Sequence, residues 1–137
     1  MYEIFLEWPP SVNNYYVKTR NGVYISSKGR AFREAVSLAV NEQLGGMLKL
    51  DEKLEVTVIL SPPDRRTRDL DNFMKSLLDA ITHAGVWEDD GQIDQLLIYR
   101  AKPKSIGKGK SKEGSGCVVR IDTAGPVLSA QQLLDII

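Results

Sequence analysis

Two adjacent prolines, Pro62-Pro63, interrupt the middle of the chain and constrain its fold more than any other feature. Proline lacks the N–H that a central strand must donate, so the chain turns there. Before the break, Leu54-Glu55-Val56-Thr57-Val58-Ile59-Leu60 is rich in β-branched residues and reads as a strand. After it, Leu70, Phe73 or Met74, Leu77, Leu78, Ile81 and Ala84 recur at helical spacing, and Gly85 is a natural stop. Gln95 to Ala101 then reads as another strand.

The helix is bracketed by charge. Arg65, Arg66 and Arg68 precede it, and Asp89 and Asp90 follow it. No Lys or Arg occurs from Ser76 to Tyr99, yet Asp79, Glu88, Asp89, Asp90 and Asp94 fall there. Carboxylates without cations beside them repel one another, and a bound cation would offset that repulsion. Asp69 and Asp71 are two apart and lie at or beside the helix start, one of them as a cap. Asp71, Lys75 and Asp79 follow at i, i+4, i+8 on one face, opposite the Leu stripe, where they can line a polar cleft. Taken singly, each feature has an ordinary structural account: a cap, a surface ion pair, an Asp-Asp-Gly turn. Together, three Arg, two Asp, one Lys and a later Asp pair around one helix favour metal-dependent phosphodiester chemistry. Mg²⁺ takes hard oxygen ligands, usually one or two carboxylates, with water and phosphate completing its shell. The Arg run would hold a polyanion beside it.

The remaining segments supply a small domain. Residues 2–8 alternate Tyr2, Ile4, Leu6, Trp8 against Glu3, Phe5, Glu7, a strand with one buried face that Pro9-Pro10 ends. Asn13 to Arg20 reads as a loop, with Tyr15 and Tyr16 able either to stack on unpaired bases or to pack at the domain edge. Asn21-Gly22 signals a hairpin. Ser26 or Ser27 caps a helix to about Leu44, with Phe32, Val36, Ala39 and Val40 on its stripe and Gly45-Gly46 at its end. Arg30 and Arg33 in its first turns read as solvent-exposed, with a phosphate partner as the alternative. Lys102 to Gly116 is a basic Lys/Gly/Ser loop, Gly116 to Asp122 a strand, and Ser129 caps a short C-terminal helix. The expected fold is α+β: one domain over residues 1–122 with a mixed sheet of about four or five strands and two main helices, and a tail over residues 123–137.

At 137 residues a single domain is the default, and 42% hydrophobic content supports a small core. One Cys (Cys117) and one His (His83) argue against a disulfide framework and an intrachain zinc site, and the lone cysteine fits a reducing cytoplasm. The start does not read as a signal peptide, and no apolar run reaches membrane-spanning length. A net charge of zero argues against an indiscriminate nucleic-acid binder. Charge is segregated, however: from Arg100 to Arg120 seven cationic side chains, among them Lys102, Lys104, Lys108, Lys110 and Lys112, stand against Glu113. A solvated loop is the ordinary account of this stretch, and the one-sided excess favours a phosphate-contacting arm.

The run Pro63-Asp64-Arg65-Arg66-Thr67-Arg68-Asp69-Leu70-Asp71-Asn72, then Lys75, Asp79-Ala80, Ala84-Gly85-Val86-Trp87 and Asp89-Asp90-Gly91-Gln92-Ile93, resembles the RusA family of Holliday-junction resolvases. Trp8-Pro9-Pro10-Ser11, Asn13-Asn14, Tyr15-Tyr16, Ser26, Gly29 and Phe32-Arg33 extend the likeness over roughly residues 2 to 122. The resemblance implies that Asp69, Asp71 and Asp90 are metal-binding catalytic aspartates, Lys75 an active-site lysine and Arg68 a DNA-handling residue. It implies a homodimer that uses Mg²⁺ to nick two opposing strands of a four-way DNA junction in recombination and repair. Arg65, Arg66, Lys102 and Lys104 join Arg68 as expected DNA contacts. Two rivals remain: a junction-binding protein whose acids only shape a pocket, and a metal-dependent phosphohydrolase acting on nucleotides.

Overall fold

The computed structural model describes residues 1–107 and 114–137. Lys108, Lys110 and Lys112 lie outside the described residues. A four-stranded sheet carries the fold in the order β1 (Tyr2–Leu6), β6 (Gly116–Thr123), β4 (Leu54–Ser61), β5 (Ile93–Arg100). β1 and β4 both pair antiparallel with β6, while β4 and β5 run parallel. The sheet is therefore mixed, as expected, and a separate hairpin of β2 (Tyr16–Thr19) and β3 (Gly22–Ile25) stands beside it.

β4 is central because its sequence suits burial. Leu54, Val56, Val58 and Leu60 are at most 1% exposed, and β-branched side chains fit the pleat. A parallel partner cannot be reached by a tight turn. The chain leaves β4 at Pro62-Pro63, passes through a 3₁₀ turn (Leu70–Phe73), descends α3 (Met74–His83) and crosses a second 3₁₀ turn (Asp90–Gln92) before β5. Gly85 ends α3 at φ 78°, a left-handed conformation that L side chains avoid. The second main helix, α2 (Ser27–Leu44), is capped by the Ser26 hydroxyl, which accepts from the Gly29 N–H. Phe32, Val36 and Val40 of α2 join Leu77, Ala80 and Ile81 of α3 in the core, against the buried residues of the sheet. Beyond β6, Ser129 caps α4 (Ala130–Ile136), whose residues are all exposed.

Residues 13–20 depart from the expected loop. Ser11 O accepts from the N–H groups of Asn14 and Tyr15, closing α1 (Val12–Tyr15), and Tyr16 then enters β2. The physical cause is Tyr15, which is fully buried. α2 can lie close over it because position 29 is Gly: a Cβ there would sit 2.5 Å from the Tyr15 carbonyl oxygen. The Tyr15 hydroxyl donates to Asp79 of α3, and the Arg33 Nε donates to that hydroxyl at 2.8 Å. Arg33 also pairs with Asp79 at 2.7 Å. Arg33 is thus not the solvent-exposed cation expected from its place in α2. Asp79 is not a carboxylate without a cation, because its partner comes from 46 residues earlier.

This triad ties α1, α2 and α3 together. Burial pushes the Asp79 carboxyl up, but hydrogen bonds from Tyr15 and Arg33, with the Arg33 charge, outweigh it and hold it below the usual carboxylate range. Burial, then the Asp79 contact, raises the Tyr15 hydroxyl well above its ordinary value. Replacing Asp79 by Ala strands a buried hydroxyl and a guanidinium. Each stranded group costs roughly 1–3 kcal/mol when dry. With the Asp79 and Arg33 side chains 33% and 24% exposed, the low end applies, and urea unfolding should show a loss of about 1–2 kcal/mol. A carboxylate held low contributes stability above the unfolded value of about 3.9 and loses it as pH falls through the folded value. The difference between parent and Asp79→Asn in urea should therefore shrink as pH drops below about 4.

Candidate active site

The loop after β4 is built around Asp64. Its carboxylate accepts from the Arg66 N–H at 2.9 Å, pairs with Arg68 at 2.8 Å and reaches Arg66 at 3.6 Å. The Arg68 hydrogen bond, followed by that backbone N–H, lowers the Asp64 carboxyl to about 2. Arg68 is half-buried, with its guanidinium 5.6 Å from the centre of the Trp8 ring. Arg100, the last residue of β5, donates to the Arg68 carbonyl at 2.6 Å and fastens the loop to the sheet end.

A second clasp fixes the chain after β5. Buried Ser61 donates to the Lys102 carbonyl and accepts from the Ser105 N–H, each at 2.8 Å, and the Lys104 N–H donates to Pro62 O at 3.0 Å. Where these loops meet lies a cleft of about 620 Å³. Arg65, Arg66, Arg68 and Lys102 line it together with Asp64 and Asp69, so the structure brings most of the expected DNA contacts together in one cleft. Lys104 is exposed, two residues further on. Sequence reasoning gave no role in this cleft to Arg100 or to the aromatic pair Trp8 and Phe73. A tryptophan just before Pro9-Pro10, at a strand end, was the available signal.

Asp69 and Asp71 sit in the 3₁₀ turn at the head of α3. Asp69 occupies its N-cap position yet makes no side-chain cap bond, and Asp71 is in its first turn. The expected cap is therefore absent at both residues, and α3 itself starts at Met74 with Phe73 before it. Both acids are exposed. Among the described residues the carboxylates of Asp69, Asp71 and Asp90 have no hydrogen bond or ion pair, and Asp71 and Lys75 form no ion pair. Lys75 instead extends toward Tyr16, its Nζ 5.9 Å from the ring centre.

The acidic turn before β5 divides the labour between neighbours. Asp89 accepts from the Gly91 N–H at 3.0 Å and forms a reciprocal cap with Gln92, whose Oε1 accepts from the N–H groups of Glu88 and Asp89. Gln92 Nε2 donates to the carbonyls of Leu50 and Glu52, which pins the turn to the body. Asp90 is left exposed, near enough to Tyr16 to help raise its hydroxyl, after burial and Asp79. Tyr16 thus has Lys75 on its ring and Asp90 in its field. Asp71 lies in the turn that links the cleft rim at Asp69 to Lys75.

Among the described residues no group of three or more His, Cys, Asp and Glu side chains comes together as a ready metal cage. Exposed carboxylates without protein partners are nevertheless the donor type that Mg²⁺ takes, and one or two with water and phosphate suffice. A chain with free acids, a free lysine and an adjoining basic cleft can seat a phosphodiester and stabilise charge at its phosphorus.

The family described as "Endodeoxyribonuclease RusA" matches residues 7–122. The crossover junction endodeoxyribonuclease of Enterobacteria phage HK97 is 42% identical over 103 residues, which cover 72% of this chain and 82% of that protein. Its counterpart in Enterobacteria phage 82 is 40% identical over 110 residues, covering 79% and 87%. That of Escherichia coli strain K12 is 39% identical over 109 residues, again covering 79% and 87%.

The unequal bonding of the acids yields a stability test. Asp89→Ala should lose about 1 kcal/mol through the lost cap, while Asp89→Asn, itself a good cap, should be nearly neutral. Asp71→Asn and Asp90→Asn break no protein bond and should melt within about 0.5 kcal/mol of the parent. Thermal unfolding of the four variants side by side checks this; a large loss at Asp71 or Asp90 would mean that the acid holds the fold.

Proposed function

This chain belongs to the RusA family of endodeoxyribonucleases, and from that premise we propose that it is a Mg²⁺-dependent, structure-selective nuclease that resolves four-way DNA junctions by paired nicks during recombination and repair. The observation that carries the reading is the set of exposed carboxylates at Asp69, Asp71 and Asp90. Among the described residues they are left unbonded, while Asp64, Asp79 and Asp89 are each bonded within the protein.

Asp69, Asp71 and Asp90 would hold the metal. When bound, Mg²⁺ supplies Lewis-acid stabilisation of charge at the attacking water and the leaving oxygen. Lys75 lies at the head of α3, where a cation neutralises charge developing on a phosphate oxygen or orients the water. Arg65, Arg66, Arg68, Lys102 and Lys104 hold the backbone on either side of the reacting phosphate. A four-way junction offers two equivalent strands, and a two-fold homodimer presents two such sites at once.

A labelled four-way junction and a matched linear duplex, each with Mg²⁺ and with EDTA, test the activity: cutting should require both the junction and the metal. Asp71→Asn should bind the junction at least as well as the parent, because a negative charge near the DNA is gone. Its cleavage should fall by a factor of hundreds or more, about 4 kcal/mol in the barrier. Retained cleavage at the parental rate would remove Asp71 from the site.

Two further measurements address partner contacts. Light scattering at micromolar concentration should give twice the mass of one chain; paired cleavage by a species of single-chain mass would overturn the dimer. Lys102→Ala with Lys104→Ala should flatten the log–log salt dependence of junction binding by about 0.9 per lost contact. An unchanged slope would leave these lysines merely solvated.

A further inference from the structure

The cleft beside Asp69 has more than a basic rim. Its floor is apolar and aromatic: Trp8 and Phe73 touch at 4.9 Å between ring centres, with Leu60 and Pro62 beside them. Phe73 is 5% exposed, and Trp8 is half-buried. The Pro10 carbonyl, two residues after Trp8, accepts from the buried Ser76 hydroxyl at 2.6 Å, which holds the Trp8 segment on α3. At the rim, Arg65, Arg100 and Lys102 have no carboxylate partner among the described residues. Asp64 is already paired with Arg68 and Arg66. A volume of about 620 Å³ is in the range of small-ligand sites.

A DNA backbone needs only cations. An aromatic floor beneath free cations suits a ligand with a flat apolar face and a negative charge, which describes a nucleotide whose base is not paired. The surroundings favour a nucleotide within a strand over a free one. A neighbouring cleft of about 530 Å³ shares Trp8, Arg66, Arg68 and Phe73 with the first and adds Lys28, so basic surface continues past the same wall. We propose that the Trp8–Phe73 cleft seats one unpaired nucleotide of the DNA strand next to the cut, with its base against the exposed part of the Trp8 ring, which Phe73 backs at a 59° tilt, and its phosphate on Arg65, Arg100 and Lys102. This rests on the nuclease reading above and adds to it a subsite for an unstacked base. Asp69 on the lip places that nucleotide beside one of the proposed metal ligands.

Binding measured in EDTA separates the subsite from the nuclease reading. The probes are a single-stranded thymidine hexamer, the same hexamer with all six bases removed, and thymidine monophosphate. Trp87 is 1% exposed, so a ligand-induced change in tryptophan emission reports Trp8. The base-bearing hexamer should quench that emission and bind about tenfold more tightly than the abasic one, as stacking of one base allows. By anisotropy of labelled probes, Trp8→Phe should keep the preference and Trp8→Leu, which fills the same space without a ring face, should lose most of it. Equal binding of the base-bearing and abasic hexamers by the parent would reduce the cleft to an anion patch. Equal or tighter binding of the mononucleotide would overturn the strand as its occupant. If the base preference is absent and the junction is still cut with Mg²⁺, the subsite fails and the nuclease reading stands. If the preference is present and no junction is cut, the nuclease reading is what fails.

Discussion

The parallel pairing of β4 with β5 governs the rest of the molecule. An antiparallel neighbour could have followed in two residues; a parallel one obliges the chain to return along the sheet before it can pair. That return, residues 62–92, carries every proposed metal ligand, the proposed active-site lysine Lys75 and the Arg run. Its first part leaves from the carboxyl end of β4, where Arg100 of β5 also ends, and there the basic cleft forms. Its last part delivers Asp90 to the start of β5, against α3. Pro62-Pro63 forces the departure, and Gly85 ends the helix so that the acidic turn can form.

The crossover is held by bonds that leave the proposed metal ligands alone. Asp64 clamps the Arg loop, Asp79 locks α3 to α2 and α1, and Asp89 with Gln92 closes the last turn. Asp69, Asp71 and Asp90 lie in the same segment and, among the described residues, make no such bond. Stability and the proposed chemistry would therefore draw on different carboxylates within one segment. Exposure alone would not make the unbonded acids notable, since surface aspartates are common. Asp69, however, stands at an N-cap position where bonding a backbone N–H is the usual outcome, and it does not do so.

Much of this was legible in the sequence, for reasons that are local. The strands at residues 54–60 and 116–122, the helix from Ser26 to Leu44 and the hairpin at Asn21-Gly22 follow from periodicity and turn chemistry, which act within a few residues. The RusA likeness was carried by short, closely spaced motifs. What the chain did not disclose depends on long-range meetings. Asp79 seemed to lack a cation because Arg33 lies in another helix. Tyr15 looked like a loop residue because only α2 and α3 together bury it. Arg100 and Trp8 come from the two ends of the sheet order's neighbours and meet the Arg loop solely in three dimensions.

Charge segregation completes the argument. A chain of zero net charge gains nothing from bulk attraction to DNA, so any hold on a polyanion must be local. The fold supports it by pairing away Asp64, one of the two acids that line the cleft, while Asp69 stays on its lip. Asp64 lines the cleft with the Arg run and would cancel one of its charges, but it is matched by Arg68 and leaves Arg65, Arg100 and Lys102 without a carboxylate partner among the described residues. Asp90 acts on Tyr16, whose ring also has Lys75 near it, and neither Asp90 nor Lys75 is among the residues that line the cleft. Cations that would hold phosphate and acids that would hold a metal thus lie close together, Asp69 on the cleft itself and Asp71 in the turn beside it, and among the described residues they are not paired with one another. A small neutral domain so arranged would keep both an anion-binding surface and free carboxylates.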